Sequence, residues 1–150
     1  MTTVTHKSGD LFTSDAPALG QGVNVVGAMH AGIANVFRLR FAGMFDAYAK
    51  VCRSGALIPG GMFFWPATEE LPAVYNIASQ DQTGPNASLD WLETGTRAAL
   101  QHADQNGITR IALPQIGCGI GGLVWEDALP VLEKVAAEYR CDLELWTYEG

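Results

Sequence analysis

Short β-rich runs and helical stretches take turns along this chain almost from end to end. Thr3–His6, Gly22–Val26, Met62–Trp65, Val74–Ala78, Arg110–Leu113 and Asp142–Thr147 read as strands, with helical patterns between most of them. A strand, a helix and a further strand in sequence leave few foldings open. The helix carries the chain back to the starting end of the sheet, so the strands pair largely in parallel and helices cover the faces. In such sheets ligands collect outside the carboxyl ends of the strands.

The helical segments carry their own punctuation. GIANVFRLRF puts Ile33, Val36, Phe37 and Phe41 on one face, with Gly43 as a stop and Met44–Arg53 as a second helix. The longest helix is predicted over Ser88–Asn106, capped by Asn86 or Ser88 and ended by Asn106-Gly107. Its buried stripe is Leu89, Leu92, Thr96, Ala99, Leu100 and Ala103. The last helix buries Leu129, Leu132, Val135, Ala136 and Tyr139, and Pro130 is tolerated there if Asp127 is the N-cap. Proline then falls in the first turn, where its missing N–H is no loss.

With 150 residues, 48% of them apolar and 17% charged, the chain is expected to fold as one globular domain over 1–150. Nine Lys and Arg against sixteen Asp and Glu leave a net charge of −7. That balance argues against duplex nucleic acid as a partner, because such binding leans on cationic side chains. A phosphate ligand would have to be held by backbone N–H groups and helix N-termini instead. Cys52, Cys118 and Cys141 are odd in number and irregularly spaced, which supports neither a disulfide framework nor a zinc site. No metal or cofactor is expected. No apolar run has the length of a membrane span and the N-terminus lacks a signal-peptide core, so a reduced cytoplasmic setting is expected.

Two glycine-bearing loops break the ordinary pattern. PQIGCGIGGLVW places Gly117, Gly119, Gly121 and Gly122 between a strand and a helix, more glycine than a simple turn requires. It matches neither the nucleotide P-loop nor the dinucleotide fingerprint. VNVVGAMHAGIANVF likewise passes through Gly27, Ala28, Ala31 and Gly32 straight into a helix, whose N-terminus attracts anions. Two such sites in one small domain suit a diphosphate, and the residues alone reach as far as a phosphoester-binding α/β domain.

Together with Gly9-Asp10-Leu11 and with PGGMFFW followed by AVYNIA, these loops resemble the macrodomains, and most closely the branch that holds the TARG/ALC1-like and DarG macrodomains. The resemblance runs over almost the whole chain. It implies a three-layer α/β/α fold with a mixed, mostly parallel central sheet, and ADP-ribose as ligand. By the same resemblance Asp10 accepts from the adenine amino group beside Leu11, and Trp146 lies against adenine, although Asp10 also suits a plain turn and Trp146 a core position. Loop one (Met29, Ala31, Gly32, Ile33) then touches the diphosphate and distal ribose. Loop two (Gln115, Ile116, Gly117, Cys118, Gly119, Ile120, Gly121) cradles the phosphates. Asn24 matches an asparagine that faces the distal ribose in part of the family; a satisfied strand-end amide is its plainer reading.

One part of the pattern is broken. TARG-like enzymes are understood to pair a nucleophilic lysine after the fourth-strand region with an aspartate in loop two. This chain has Gln80-Asp81 and Gly121 there. An amide is no nucleophile, so catalysis would pass to water, with Asp81 as base or orienting group, Gln80 holding the ribose or ester, and the loops presenting the bond. Cys118 has no activating histidine nearby in sequence and reads as packing, while His6, His30 and His102 read as surface residues. The resemblance implies a hydrolase that releases ADP-ribose from modified proteins, from acidic side-chain or other O-linked esters. The alternatives are a non-catalytic ADP-ribose reader and a phosphatase acting on ADP-ribose 1″-phosphate. The implied partners are ADP-ribose and ADP-ribosylated proteins, without a membrane; the oligomeric state is left open.

Overall fold

The computed structural model describes residues 3–148. Six strands, β1 (Val4–Ser8), β2 (Ala18–Gly22), β3 (Met62–Trp65), β4 (Ala73–Ile77), β5 (Arg110–Leu113) and β6 (Asp142–Thr147), form one sheet. Their order is β1-β6-β5-β2-β4-β3, and only β3 runs antiparallel to its neighbour. Helices α1 (Gly32–Arg40) and α2 (Ala42–Ser54) cover one face, and α3 (Leu89–Gln105) and α4 (Trp125–Ala136) the other.

The layering follows from the two-residue period of a strand. Tyr75 and Ile77, like Ile111 and Leu113, point into the core beneath α3 and α4. Val74 and Ala112, one residue out of step, point into the core beneath α1 and α2 with Phe37, Met44 and Tyr48. Both faces being covered, the inner strands bury nearly every residue, as in other parallel sheets. Ser88 caps α3 by accepting from Trp91 N, and Leu92, Thr96, Ala99, Leu100 and Ala103 form its buried side.

Three local readings are corrected by the fold. β2 is Ala18–Gly22, and most of Gly22–Val26 is the loop that follows it. Asn24 is the reason: its Oδ1 accepts from Val26 N at 3.1 Å and Ala28 N at 3.2 Å, a local turn that outcompetes a ladder for these β-branched residues. The real strand looks unlike one because it holds two glycines and a glutamine. A Cβ on Gly20 would run into Leu113, and Gln21 is buried, donating from Nε2 to Asn76 Oδ1 at 2.9 Å. Gly43 does not stop α1; the chain breaks at Phe41, whose φ of −125° and ψ of 61° leave the helix, and Gly43 lies within α2. Asp127 is not an N-cap. α4 begins at Trp125 after Val124, so Pro130 sits inside the helix and the Glu126 carbonyl forgoes its intrahelical donor. His102 is also drawn in, half-buried with Nδ1 2.7 Å from the Tyr75 hydroxyl.

Candidate functional site

The order of the strands decides where the site lies. Beyond β2 the chain moves outward to α1 and α2 on one face, and beyond β5 it moves to α4 on the other. β2 and β5 are neighbours, so their following loops part and leave a crevice between them. These are the two glycine-bearing loops. A cavity of about 1000 Å³ opens there, along the carboxyl ends of β1, β6, β5, β2 and β4.

One end of the cavity, over β1 and β6, is lined by Asp10, Leu11, Phe12, Arg40, Trp146 and Tyr148. Asp10 Oδ1 accepts from Phe12 N at 3.0 Å, capping the 3-10 turn Leu11–Thr13. Its second carboxylate oxygen is not used by that cap. The Trp146 indole donates to Glu144 Oε1 at 3.0 Å, which fixes the plane of the ring in the cavity wall. Burial pushes the Glu144 carboxyl up, but bonds from Ser14 and Trp146 and the charge of Arg110 outweigh it and hold the group below its ordinary value. Arg40 stacks over Phe12 at 4.7 Å and is the one Lys or Arg in the wall among the described residues.

The middle is walled by backbone. Within loop two the amides of Ile116, Cys118, Gly122 and Leu123 donate to carbonyls of the loop or its approach, while those of Gly117, Gly119, Ile120 and Gly121 meet no protein acceptor among the described residues. Gly117 has φ +76°, a conformation that costs a residue with a side chain. Gly121 answers a different need. A Cβ there would stand 2.6 Å from Gly117 O, 3.0 Å from Ala87 Cβ and 3.0 Å from Gln80 Oε1. Facing them, α1 starts at Ala31 and Gly32 with no side chain capping its first amides. Ile120 reaches across to Gly32, where a Cβ would come within 3.6 Å of Ile120 Cδ1.

At the other end, over β2 and β4, lie Asn24, Gln80, Thr83 and Gly84. Gln80 Nε2 donates to Gln82 O at 2.6 Å and Gly84 O at 3.3 Å, leaving Oε1 as a fixed acceptor beside Gly121. Asn24 is 7% exposed and heavily engaged: beyond its turn bonds, Nδ2 donates to Ala28 O and Oδ1 accepts from the Tyr48 hydroxyl at 2.8 Å. Its amide therefore shapes loop one.

Of the residues singled out from the sequence, the cavity wall brings together Asp10, Leu11, Asn24, Met29, Ala31, Gly32, Ile33, Gln80, Gln115, Ile116, Gly117, Gly119, Ile120, Gly121 and Trp146. Asp81 and Cys118 are not in it. Asp81 follows Gln80 into the bend that Gln80 itself ties down. The Cys118 thiol points back to Ile116 O at 3.5 Å, and burial together with Glu126 raises it above its ordinary range, away from thiolate chemistry. His30, read as a surface residue, is exposed and also lines the cavity. Phe12, Arg40, Thr83 and Tyr148 escaped the sequence reading, because they come from segments with no motif and meet only at the carboxyl edge of the sheet. Among the described residues no three His, Cys, Asp or Glu side chains gather closely enough to hold a metal ion. No helix among them is long and apolar enough to cross a membrane.

Fold and site thus define a three-layer α/β/α domain with a long cleft, walled by amides at its centre and aromatic at one end, at a sheet switch point. The Macro domain family profile matches residues 21–132, and the chain belongs to that family. It is 35% identical over 127 residues to a Mycobacterium tuberculosis protein named DNA ADP-ribosyl glycohydrolase, covering 83% of this chain and 36% of that protein. It is 26% identical over 136 residues to the human ADP-ribose glycohydrolase OARD1, covering 88% of this chain and 83% of that one. In structure it is similar to the macrodomain of Mycobacterium tuberculosis DarG, with a TM-score of 0.88, 30% identity, and 100% and 99% of the two chains covered. The chain thus spans little more than a third of the length of the mycobacterial relative.

Proposed function

We propose that this domain binds ADP-ribose along the cleft and hydrolyses the bond joining it to a modified macromolecule. The observation that carries the reading is the set of free amides at Gly117, Gly119, Ile120 and Gly121, opposite the uncapped start of α1. Amides converging without competing acceptors hold a diphosphate as cationic side chains would, at no cost in reorganisation. Adenine then lies toward Asp10 and Trp146, and the distal ribose toward Gln80 and Asn24. The names of the relatives supply the reaction class. The acceptor of ADP-ribose is nucleic acid in the name of the mycobacterial relative, and a protein ester presents the same anomeric carbon to the cleft.

The chemistry is a displacement by water. Water adds to the anomeric carbon of the distal ribose, the bond to the modified group breaks, and the leaving atom takes up a proton. Gln80 Oε1 accepts a hydrogen bond from the ribose or from the incoming water. His30 is the base in reach of neutral pH on the loop-one wall, and it accepts the proton of the water. Positioning by the two loops supplies much of the remainder.

The test is release of ADP-ribose from an ADP-ribosylated single-stranded oligonucleotide and from a glutamate-ADP-ribosylated protein, beside calorimetry with ADP-ribose. Expected are binding of ADP-ribose, turnover of at least one substrate, and a loss of roughly 100-fold in kcat for His30→Ala. Binding without release from either substrate would leave a reader; absence of binding at millimolar ADP-ribose would end the proposal.

A further inference from the structure

An excess of acid over the whole chain hides an uneven distribution. α1 and α2 carry Arg38, Arg40, Lys50 and Arg53 against a single carboxylate, Asp46. α3 and α4 carry Arg97 and Lys134 against Asp90, Glu93, Asp104, Glu126, Asp127 and Glu133. The two faces also differ in how their cations are used. Arg97 and Lys134 are both engaged by carboxylates, Arg97 with Glu93 and Glu138, and Lys134 with Glu93. Among the described residues, no cation of α1 or α2 is within ion-pair distance of a carboxylate, so their field reaches solvent.

This basic face adjoins the end of the cleft where chemistry is placed. Loop one leans on α2: a Cβ at Gly27 would lie 3.7 Å from Ala49 Cα and 3.7 Å from Cys52 Cβ. Lys50 and Arg53 are the next residues along the helix from those two contacts, and both are exposed. Arg38 is largely spent, with Nε donating to Met29 O and Nη2 to Asn35 Oδ1. Arg40 lines the opposite end of the cleft. Lys50 and Arg53 therefore remain as free, solvent-facing cations beside the wall of the distal ribose site.

We propose that the α2 face bearing Lys50 and Arg53 docks the phosphate backbone of a single-stranded nucleic acid whose ADP-ribosylated base enters the cleft. The proposal rests on the hydrolase reading and deepens it by choosing between the two acceptors. A cleft whose ribose site lies among loops can be reached by a base on a flexible single strand, whereas a base in a duplex must first leave the stack. Two phosphates gripped beside the mouth hold the strand without the broad basic footprint that a duplex demands, so the net charge of −7 is no obstacle.

The test follows fluorescence anisotropy of an unmodified single-stranded oligonucleotide of ten nucleotides, over a range of salt, for wild type, Lys50→Glu/Arg53→Glu and Lys134→Glu. Wild type is expected to bind in the range of about 10⁻⁴ to 10⁻⁶ M at low salt, weakening as salt rises. The double variant is expected to lose tenfold or more, with the slope of log affinity against log salt flattened by about 1.4, or roughly 0.7 for each lost phosphate contact. Lys134→Glu, a like change on the acidic face, is expected to leave both unchanged. Salt-independent binding, an unaltered double variant, or equal loss in Lys134→Glu would overturn the proposal. Equal binding of polyglutamate would overturn it in favour of an acidic protein partner. Calorimetry with ADP-ribose separates the two levels of inference. The double variant keeps wild-type affinity, since neither residue lines the cleft, and failure of wild type to bind ADP-ribose sinks the hydrolase reading whatever the oligonucleotide does.

Discussion

Gly121→Ala measures how tightly loop two is built. The added methyl would stand 2.6 Å from Gly117 O, with Ala87 Cβ and Gln80 Oε1 each at 3.0 Å. None of the three can simply step aside. Gly117 O accepts from Leu123 N at 2.8 Å, Gly121 O accepts from Ala87 N at 3.1 Å, and Gln80 is held by its own bonds to Gln82 and Gly84. Overpacking of this kind costs about 1–3 kcal/mol. In a domain of this size each kcal/mol lowers Tm by about 2–4 °C, so a fall of several degrees is expected in thermal unfolding. If the loop relieves the clash by opening, ligand must close it again, and ADP-ribose affinity falls by roughly 5- to 150-fold at tenfold per 1.4 kcal/mol. Gly119→Ala is the matched control, because a Cβ there meets nothing within 4 Å. It should melt with wild type, and lose affinity only through obstruction of the diphosphate. A Gly121→Ala protein with unchanged Tm and unchanged affinity would refute the close-packed loop. The same crowding explains why an aspartate cannot be restored at this position by substitution alone.

Other consequences are simpler to measure. Asn24→Ala leaves the Tyr48 hydroxyl and the amides of Val26 and Ala28 without their shared acceptor, and is expected to cost about 1–3 kcal/mol in denaturant unfolding. Tyr48→Phe removes only one donor to that group and should cost about 0.5–1.5 kcal/mol, so equal losses would contradict the proposed arrangement. Because the Glu144 carboxyl is held below its ordinary value, its contribution is complete above the unfolded value of about 4.3 and is lost as pH falls through the lower folded one. Melting temperature should thus drop in acid below about pH 4, and Glu144→Gln should be less stable at neutral pH with a flatter acid limb. Trp146→Ala should weaken ADP-ribose binding about five- to tenfold with little change in kcat, as loss of one stacking contact near 1 kcal/mol implies; a fall in kcat alone would place Trp146 in the wrong half of the cleft.

Much of the architecture could be read from residue order. β3, β5 and β6 fall where β-rich runs end in turn residues, and α3 carries both its cap and its buried stripe openly. The errors have a common origin in contacts between segments far apart in the chain. Gly20 and Gln21 make a poor strand in isolation and a good one between Leu113 and Asn76. Val23–Val26 is the reverse case, strand-like in composition but captured by the carboxamide of Asn24. Asp81 and Gln80 are neighbours in sequence, yet only Gln80 enters the cleft, because the bend after β4 sends consecutive side chains apart.

Sequence alone determined that a strand-rich, helix-rich chain would form a covered, mostly parallel sheet, and that two glycine loops would present backbone to an anion. Those are properties of local pattern, since side-chain period and glycine content act within a few residues. Tertiary structure decided which amides stay free, that Asn24 shapes a loop, that Arg40, Phe12 and Tyr148 share a cleft with Asp10, and that the basic residues of α1 and α2 face away from the acidic α3 and α4. Each depends on strand order. By setting β2 beside β5, the sheet makes one site of two loops separated by most of the chain, a juxtaposition that no short-range pattern encodes.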